Sequence, residues 1–360
     1  VVSRFYPMIT GVDGPYYLIQ VEHLISEGSL KYSDPPLAFY VMAAFALALG
    51  DVVLGCALAV SLLSSLTVLA VYVLVRELCG SEHIALLAML LTLFSDLHVR
   101  LFTDFMKNAM GVPFLLVSLY FYYRALKLGE KRSLVLSVLL ALVTSATHVL
   151  DFFVLLLLVA LSSLLLYARG YERKRVLFSF GIFMGAVCLV IFAGLLVAYS
   201  YYADVNKFFS LLRSLTSAES HAELPFPVWR FPLVVPCVAV GLVLSAYFYR
   251  SASSWTFCIA SSWSLLALVL SLPFIPNQWL FRFVLMEFVT IPIVFAYLAL
   301  YVDKFALKEA PVVERRFAFT LLCALLLSSA VVCTYGVVLV DARPTITCLL
   351  YTSPSPRDRG

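Results

Sequence analysis

Long apolar runs separated by short charged stretches dominate the chain. A spanning helix needs about 20 apolar residues to cross about 30 Å of hydrocarbon. Ten runs qualify as candidates: 53–75, 84–97, 109–126, 133–147, 150–168, 176–199, 232–249, 255–272, 284–301 and 317–340. Two of them, 84–97 and 133–147, are short, which suits helices whose outer ends open into a protein-lined cavity. The run 36–49 has 14 residues, only about 21 Å as a helix. If it spans, every later loop changes side. If it lies along the interface, loops 76–83, 127–132, 169–175, 250–254 and 303–316 share one side. That arrangement puts 14 basic residues on one side and 9 on the other, and the positive-inside rule makes the richer side cytoplasmic. The run 36–49 then reads as a juxtamembrane helix, and 12 carboxylates fall on the outer face against seven on the inner.

Upstream of that run, Asp13-Gly14-Pro15 is a helix-start signal, with a carboxylate before the first turn and proline just inside it. Tyr17, Val21, Leu24 and Ile25 follow at helical spacing, and Gly28 stops the helix. The pattern predicts an amphipathic helix on the membrane surface, with Asp13 at its mouth. Pro35-Pro36 starts a second one. The fold class is therefore all-α: a polytopic integral membrane bundle of about ten spans, with two juxtamembrane helices in the first external loop.

Composition closes off alternatives. Hydrophobic residues make up 63% of the 360, charged residues 13%, and mean hydropathy is +1.00. A soluble domain is nearer half apolar and a quarter charged, so a soluble enzyme, a disordered chain and a nucleic-acid-binding module are excluded. The eight cysteines form no CxxC or Cys/His metal spacing, and the seven in or beside apolar runs read as small buried hydrophobes. The chain starts at Val1. Its stretch 348–358, CLLYTSPSPRD, reads as the conceptual translation of a sequencing-library adapter. The expected organisation is one partial membrane domain over 1–347, incomplete at both ends, followed by a non-structural tail over 348–360.

The segment 11–40, GVDGPYYLIQVEHLISEGSLKYSDPPLAFY, carries a resemblance. An early aspartate, an aromatic-rich amphipathic helix, glycine, then D-P-P-L-x-x-Y is similar to the first external loop of GT-C glycosyltransferases. That family includes protein O-mannosyltransferases, aminoarabinose transferases and, more distantly, oligosaccharyltransferases. The likeness covers residues 5–126 well and the remainder in layout. In the family this loop follows a first transmembrane helix, here expected before Val1. It often carries an acidic pair where this chain has Asp13-Gly14.

The resemblance implies that Asp13 is the catalytic carboxylate; read from the residues alone, it is also a simple helix cap. Inverting transfer from a phosphate-linked sugar needs one base for the acceptor proton, and cations to hold the departing phosphate. It further implies a second acidic residue near 95–108, SDLHVRLFTDFMKN, where Asp104 is the best match and Asp96 the competitor. Asp104, Lys107 and Asn108 fall on one face of a helix entering the next span. Lys107, with Arg100 assisting, is a candidate for a lipid phosphate; snorkelling to headgroups is its ordinary alternative.

Other outer-face groups complete the candidate set. Tyr16 and Tyr17 are candidates for substrate contact. His148 and Asp151 stand at i, i+3 in a turn, where they line a cavity or, with Asp13 and Asp104, hold Mg²⁺ or Mn²⁺. Loop 200–231 supplies aromatics suited to a sugar or headgroup. Arg282 loosely matches a family arginine that pairs with the carrier phosphate; an ion pair with Glu287, one turn inside the membrane, is the structural alternative.

The function these readings imply is a hexosyl- or pentosyltransferase of GT-C type. It would move a sugar from a polyprenyl-phosphate donor to a protein, lipid or glycan acceptor at the external membrane face. A flippase or transporter for a lipid-linked glycan is the alternative, though no internal repeat is seen.

Overall fold

A computed structural model describes residues 13–197, 254–270 and 277–301. Every element among them is an α-helix. In chain order these are α1 (Gly14–Glu27), α2 (Leu37–Leu49), α3 (Val52–Cys79), α4 (Glu82–Leu93), α5 (Asp96–Asp104), α6 (Met106–Leu128), α7 (Lys131–Thr147), α8 (Val149–Ala168), α9 (Arg173–Val197), α10 (Ser254–Leu270) and α11 (Asn277–Tyr301). The expected runs 232–249 and 317–340, the loop 200–231 and the tail 348–360 lie outside the described residues.

Helix α1 forms where the proline and glycine signals put it. Pro15 sits in its first turn, and Gly28 closes it at φ 72° with its N–H on the Leu24 carbonyl, a left-handed cap that a Cβ would strain. Tyr17, Val21 and Leu24 are buried against Phe39 and Met42 of α2 and Met106 and Met110 of α6. Ile25, expected on the same face, is exposed.

The 13 residues of α2 match the short apolar run. Asp51 caps α3 by accepting a hydrogen bond from the Leu54 amide at 2.9 Å. Helices α2 and α3 cross so closely that a Cβ on Gly55 would collide with the Ala46 backbone.

The run 84–97 does not form a single helix. α4 ends at Leu93, and Ser95 starts α5 by accepting from the His98 amide at 3.4 Å. The two segments are bent by 49°. A second break follows at Phe105 (φ −131°, ψ 68°), between α5 and α6. Asp104 and Lys107 therefore do not share a continuous helical face, as their spacing had suggested. An extended residue interposed between two helices resets the 3.6-residue phase.

Helix α6 is the hub. It packs against α7, α3, α8, α5 and α9, and α11 closes the far side on α4, α5, α10 and α3. One large apolar core joins most of these helices, and a smaller one joins α1, α2 and the start of α3 to Met106 and Met110. Among the described residues, α3, α6 and α8 are each long and apolar enough to cross a membrane, and α4 with α5 qualifies as one bent span.

Candidate active site

The start of α1, the break at Phe105 and the start of α11 meet at one end of α6. The Asp13 amide donates to the Asp104 carbonyl at 3.4 Å, which pins the head of α1 to the last turn of α5. Arg282, near the start of α11, places its Nη2 3.5 Å from Asp13 Oδ2. The same guanidinium lies over the Phe105 ring, 4.3 Å from its centroid, so the residue that breaks the helix also carries the arginine. Asp13, Asp104 and Arg282 thus converge from three distant parts of the sequence.

Among the described residues, three Lys or Arg ion pairs lie at this end, and they differ in exposure. Lys107 Nζ is 2.8 Å from Asp34 Oδ1, with side chains 5% and 11% exposed. Arg100 Nε is 2.7 Å from Asp104 Oδ2, at 12% and 8%. Arg282 and Asp13 are 30% and 24% exposed, and their contact is also the longest of the three. Two pairs are nearly buried, while the third is partly exposed.

The remaining candidates serve these groups. Tyr16 donates to Asp34 Oδ2 at 2.8 Å. Burial first, and then the Asp34 carboxylate, pushes its phenol well above the ordinary range, so it stays a protonated donor. Tyr17 is buried among α1 and α2, where burial likewise raises its phenol; it supports α1 and does not face open space. His148 Nδ1 lies 3.1 Å from Asp151 Oδ2. That buried pair presses on Gly111 of α6, where a Cβ would collide with the carboxylate.

Arg282, for which Glu287 was the structural alternative, meets Asp13. Glu287 is buried beside Phe283, Met286 and Trp263 in a crevice between α6, α8, α10 and α11. Asp96 opens α5. The expected Mg²⁺ or Mn²⁺ set of Asp13, Asp104 and Asp151 does not assemble. Among the described residues, no group of three or more His, Cys, Asp or Glu side chains is placed to hold a metal. Asp104 already faces Arg100 and Asp151 faces His148, so no step is routed through a metal here.

Two positions at this end were not singled out from the sequence. Asp34 stood in the D-P-P motif and among the outer-face carboxylates, and Phe105 was not noted. The proline pair beside Asp34 was the available signal for the first. Nothing local marked the second.

Residues 33–197 match the profile of the dolichyl-phosphate-mannose-protein mannosyltransferase family. The match takes in Asp34, Asp104, Lys107 and Asp151, and leaves Asp13 and Arg282 outside. No curated protein matches the chain by sequence. The fold is similar to the crystal structure of the Archaeoglobus fulgidus oligosaccharyltransferase in the apo form. The TM-score is 0.65 at 13% identity, over 98% of this chain and 55% of that one. A second structure of that oligosaccharyltransferase, in complex with Zn and sulfate, gives a TM-score of 0.57 at 16% identity, over 93% and 49%. The chain thus spans about half the length of these solved structures. The family match over residues 33–197 and the shared fold bear out the likeness to GT-C glycosyltransferases carried by the first loop.

Proposed function

We propose that the protein is an inverting glycosyltransferase that takes a sugar from a polyprenyl-phosphate donor and places it on an acceptor hydroxyl at the external membrane face. Asp13 is the base. Its carboxylate takes the acceptor proton as the acceptor oxygen attacks the anomeric carbon from the face opposite the phosphate. The carbon–oxygen bond to phosphate breaks as the new bond forms, and its electron pair leaves on the phosphate oxygen. Arg282 holds that developing charge. Asp104 acts through its backbone carbonyl, fixing Asp13, while Arg100 neutralises its carboxylate.

The observation that supports this most is the contrast in exposure: Asp13 and Arg282 are partly exposed, while the neighbouring pairs Arg100–Asp104 and Lys107–Asp34 are nearly buried. A base and a phosphate-binding cation both need that access, whereas buried pairs serve structure. The family of mannosyltransferases that matches residues 33–197 supports a mannosyl donor as the first to try.

The test is transfer by the purified protein in detergent, with radiolabelled polyprenyl-phosphate mannose and a hydroxyl acceptor. Labelled acceptor forms in the absence of any membrane gradient if the reading holds. No transfer, together with movement of the labelled lipid across reconstituted vesicles, would establish a flippase in its place.

A further inference from the structure

We infer that Asp34 is a positioning residue for this reaction: its buried pair with Lys107 clamps the first loop onto α6 and so sets where Asp13 stands. The inference rests on Asp13 being the base and adds what holds that base in place.

Lys107 is one of the cations expected to reach a lipid phosphate. Its ammonium instead lies between Asp34 Oδ1 at 2.8 Å and the face of Phe39, 4.9 Å from the ring centroid, with 5% of the side chain exposed. The other Asp34 oxygen accepts from Tyr16 at 2.8 Å. Tyr16 in turn accepts from the Gln20 amide at 2.9 Å. Gln20 grips the Tyr32 backbone both ways, donating to its carbonyl at 3.0 Å and accepting from its N–H at 2.9 Å. One continuous network therefore ties α1, the 30–36 segment and the first turn of α6 together.

The apolar contacts under α1, made by Tyr17, Val21 and Leu24, are non-directional and would tolerate sliding. The Asp34 network is directional and fixes register. Tyr16 follows closely behind Asp13, so a shift at Asp34 passes straight to the base. A displacement of about 1 Å at a reacting group is enough to cost about 10²-fold in rate.

The experiment uses the full chain in detergent and four changes: Asp34→Asn, Lys107→Met, the charge swap Asp34→Lys with Lys107→Asp, and Tyr16→Phe. With polyprenyl-phosphate mannose as donor, each single charge change lowers kcat about tenfold to a hundredfold and leaves donor KM within about threefold. The swap regains about tenfold over either single change, and Tyr16→Phe loses a few-fold. Should the single charge variants fail to fold, the swap and Tyr16→Phe carry the comparison.

A second readout needs no donor. In an otherwise cysteine-free background, Asp13→Cys is alkylated by a water-soluble maleimide, and adding Asp34→Asn or Tyr16→Phe changes that rate about fivefold or more. Folded variants with unchanged kcat and unchanged alkylation overturn the inference. So does a raised donor KM at constant kcat, which would make Lys107 a direct phosphate contact. If Asp13→Asn alone leaves transfer intact, the base assignment falls, and the alkylation rates still decide whether Asp34 places residue 13.

Discussion

At the residue scale, a carboxylate works as a base only while an acceptor hydroxyl can reach it, and the carboxylates gathered here are not equally reachable. Asp34, Asp104 and Asp151 each face a partner inside the protein, whereas Asp13 meets Arg282 across 3.5 Å at a partly open position. Arg282 rests on Phe105, and that platform sets the angle at which the guanidinium is offered. Arg282→Gln removes a charge-assisted contact worth about 1.5–3 kcal/mol, so transfer efficiency falls about tenfold to a hundredfold. Phe105→Ala removes a cation–π contact of about 0.5–2 kcal/mol and costs a smaller factor in the same assay. An Arg282→Gln enzyme with wild-type kcat/KM would separate the arginine from the phosphate. Asp13 was legible in the sequence because a helix-start signal and a family pattern coincide there. The partner of Lys107 was not, since a pair between residues 34 and 107 leaves no local periodicity, and an isolated lysine near an interface reads equally well as a headgroup contact.

At the scale of the elements, glycine and proline punctuation carried most of the information. Gly28 ends α1, and the apolar run after Pro36 became α2 within a residue. The breaks on either side of α5 were hidden, because apolar content stays high through Phe94 and Phe105 while the backbone changes direction. Hydropathy reports what is buried and is blind to phase. The α2–α3 crossing gives a sharp test. Gly55→Leu must push Ala46 away, which overpacks the crossing by about 1–3 kcal/mol. The expected outcome is lower thermal stability in detergent and faster proteolysis within 28–51. Unchanged melting and protection would mean the crossing is looser than drawn.

Over the whole molecule, α6 joins two chemically distinct ends. Its first turn meets Asp34 through Lys107, and Phe105 and Asp104 just before it carry Arg282 and Asp13. Its last turn meets Glu77 through Lys127, and Arg175 donates to the Leu126 and Lys127 carbonyls. With 23 residues, α6 is about 35 Å long, enough to separate these ends across a bilayer. The proposed orientation, taken from the charge sorting, would put the Lys127 end on the cytoplasmic side. In a cysteine-free background, Glu27→Cys should then label with an impermeant maleimide in intact cells, and Glu130→Cys only after lysis. The reverse pattern would turn the protein over.

Whether Asp13 takes the acceptor proton is read from single-turnover sugar transfer by wild type and Asp13→Asn, both shown to be folded and to bind donor. The amide keeps the size of the side chain and removes its basicity. The account predicts a fall of about 10²–10⁴ in the rate of transfer with donor affinity little changed. Transfer at the wild-type rate by the asparagine variant would contradict it.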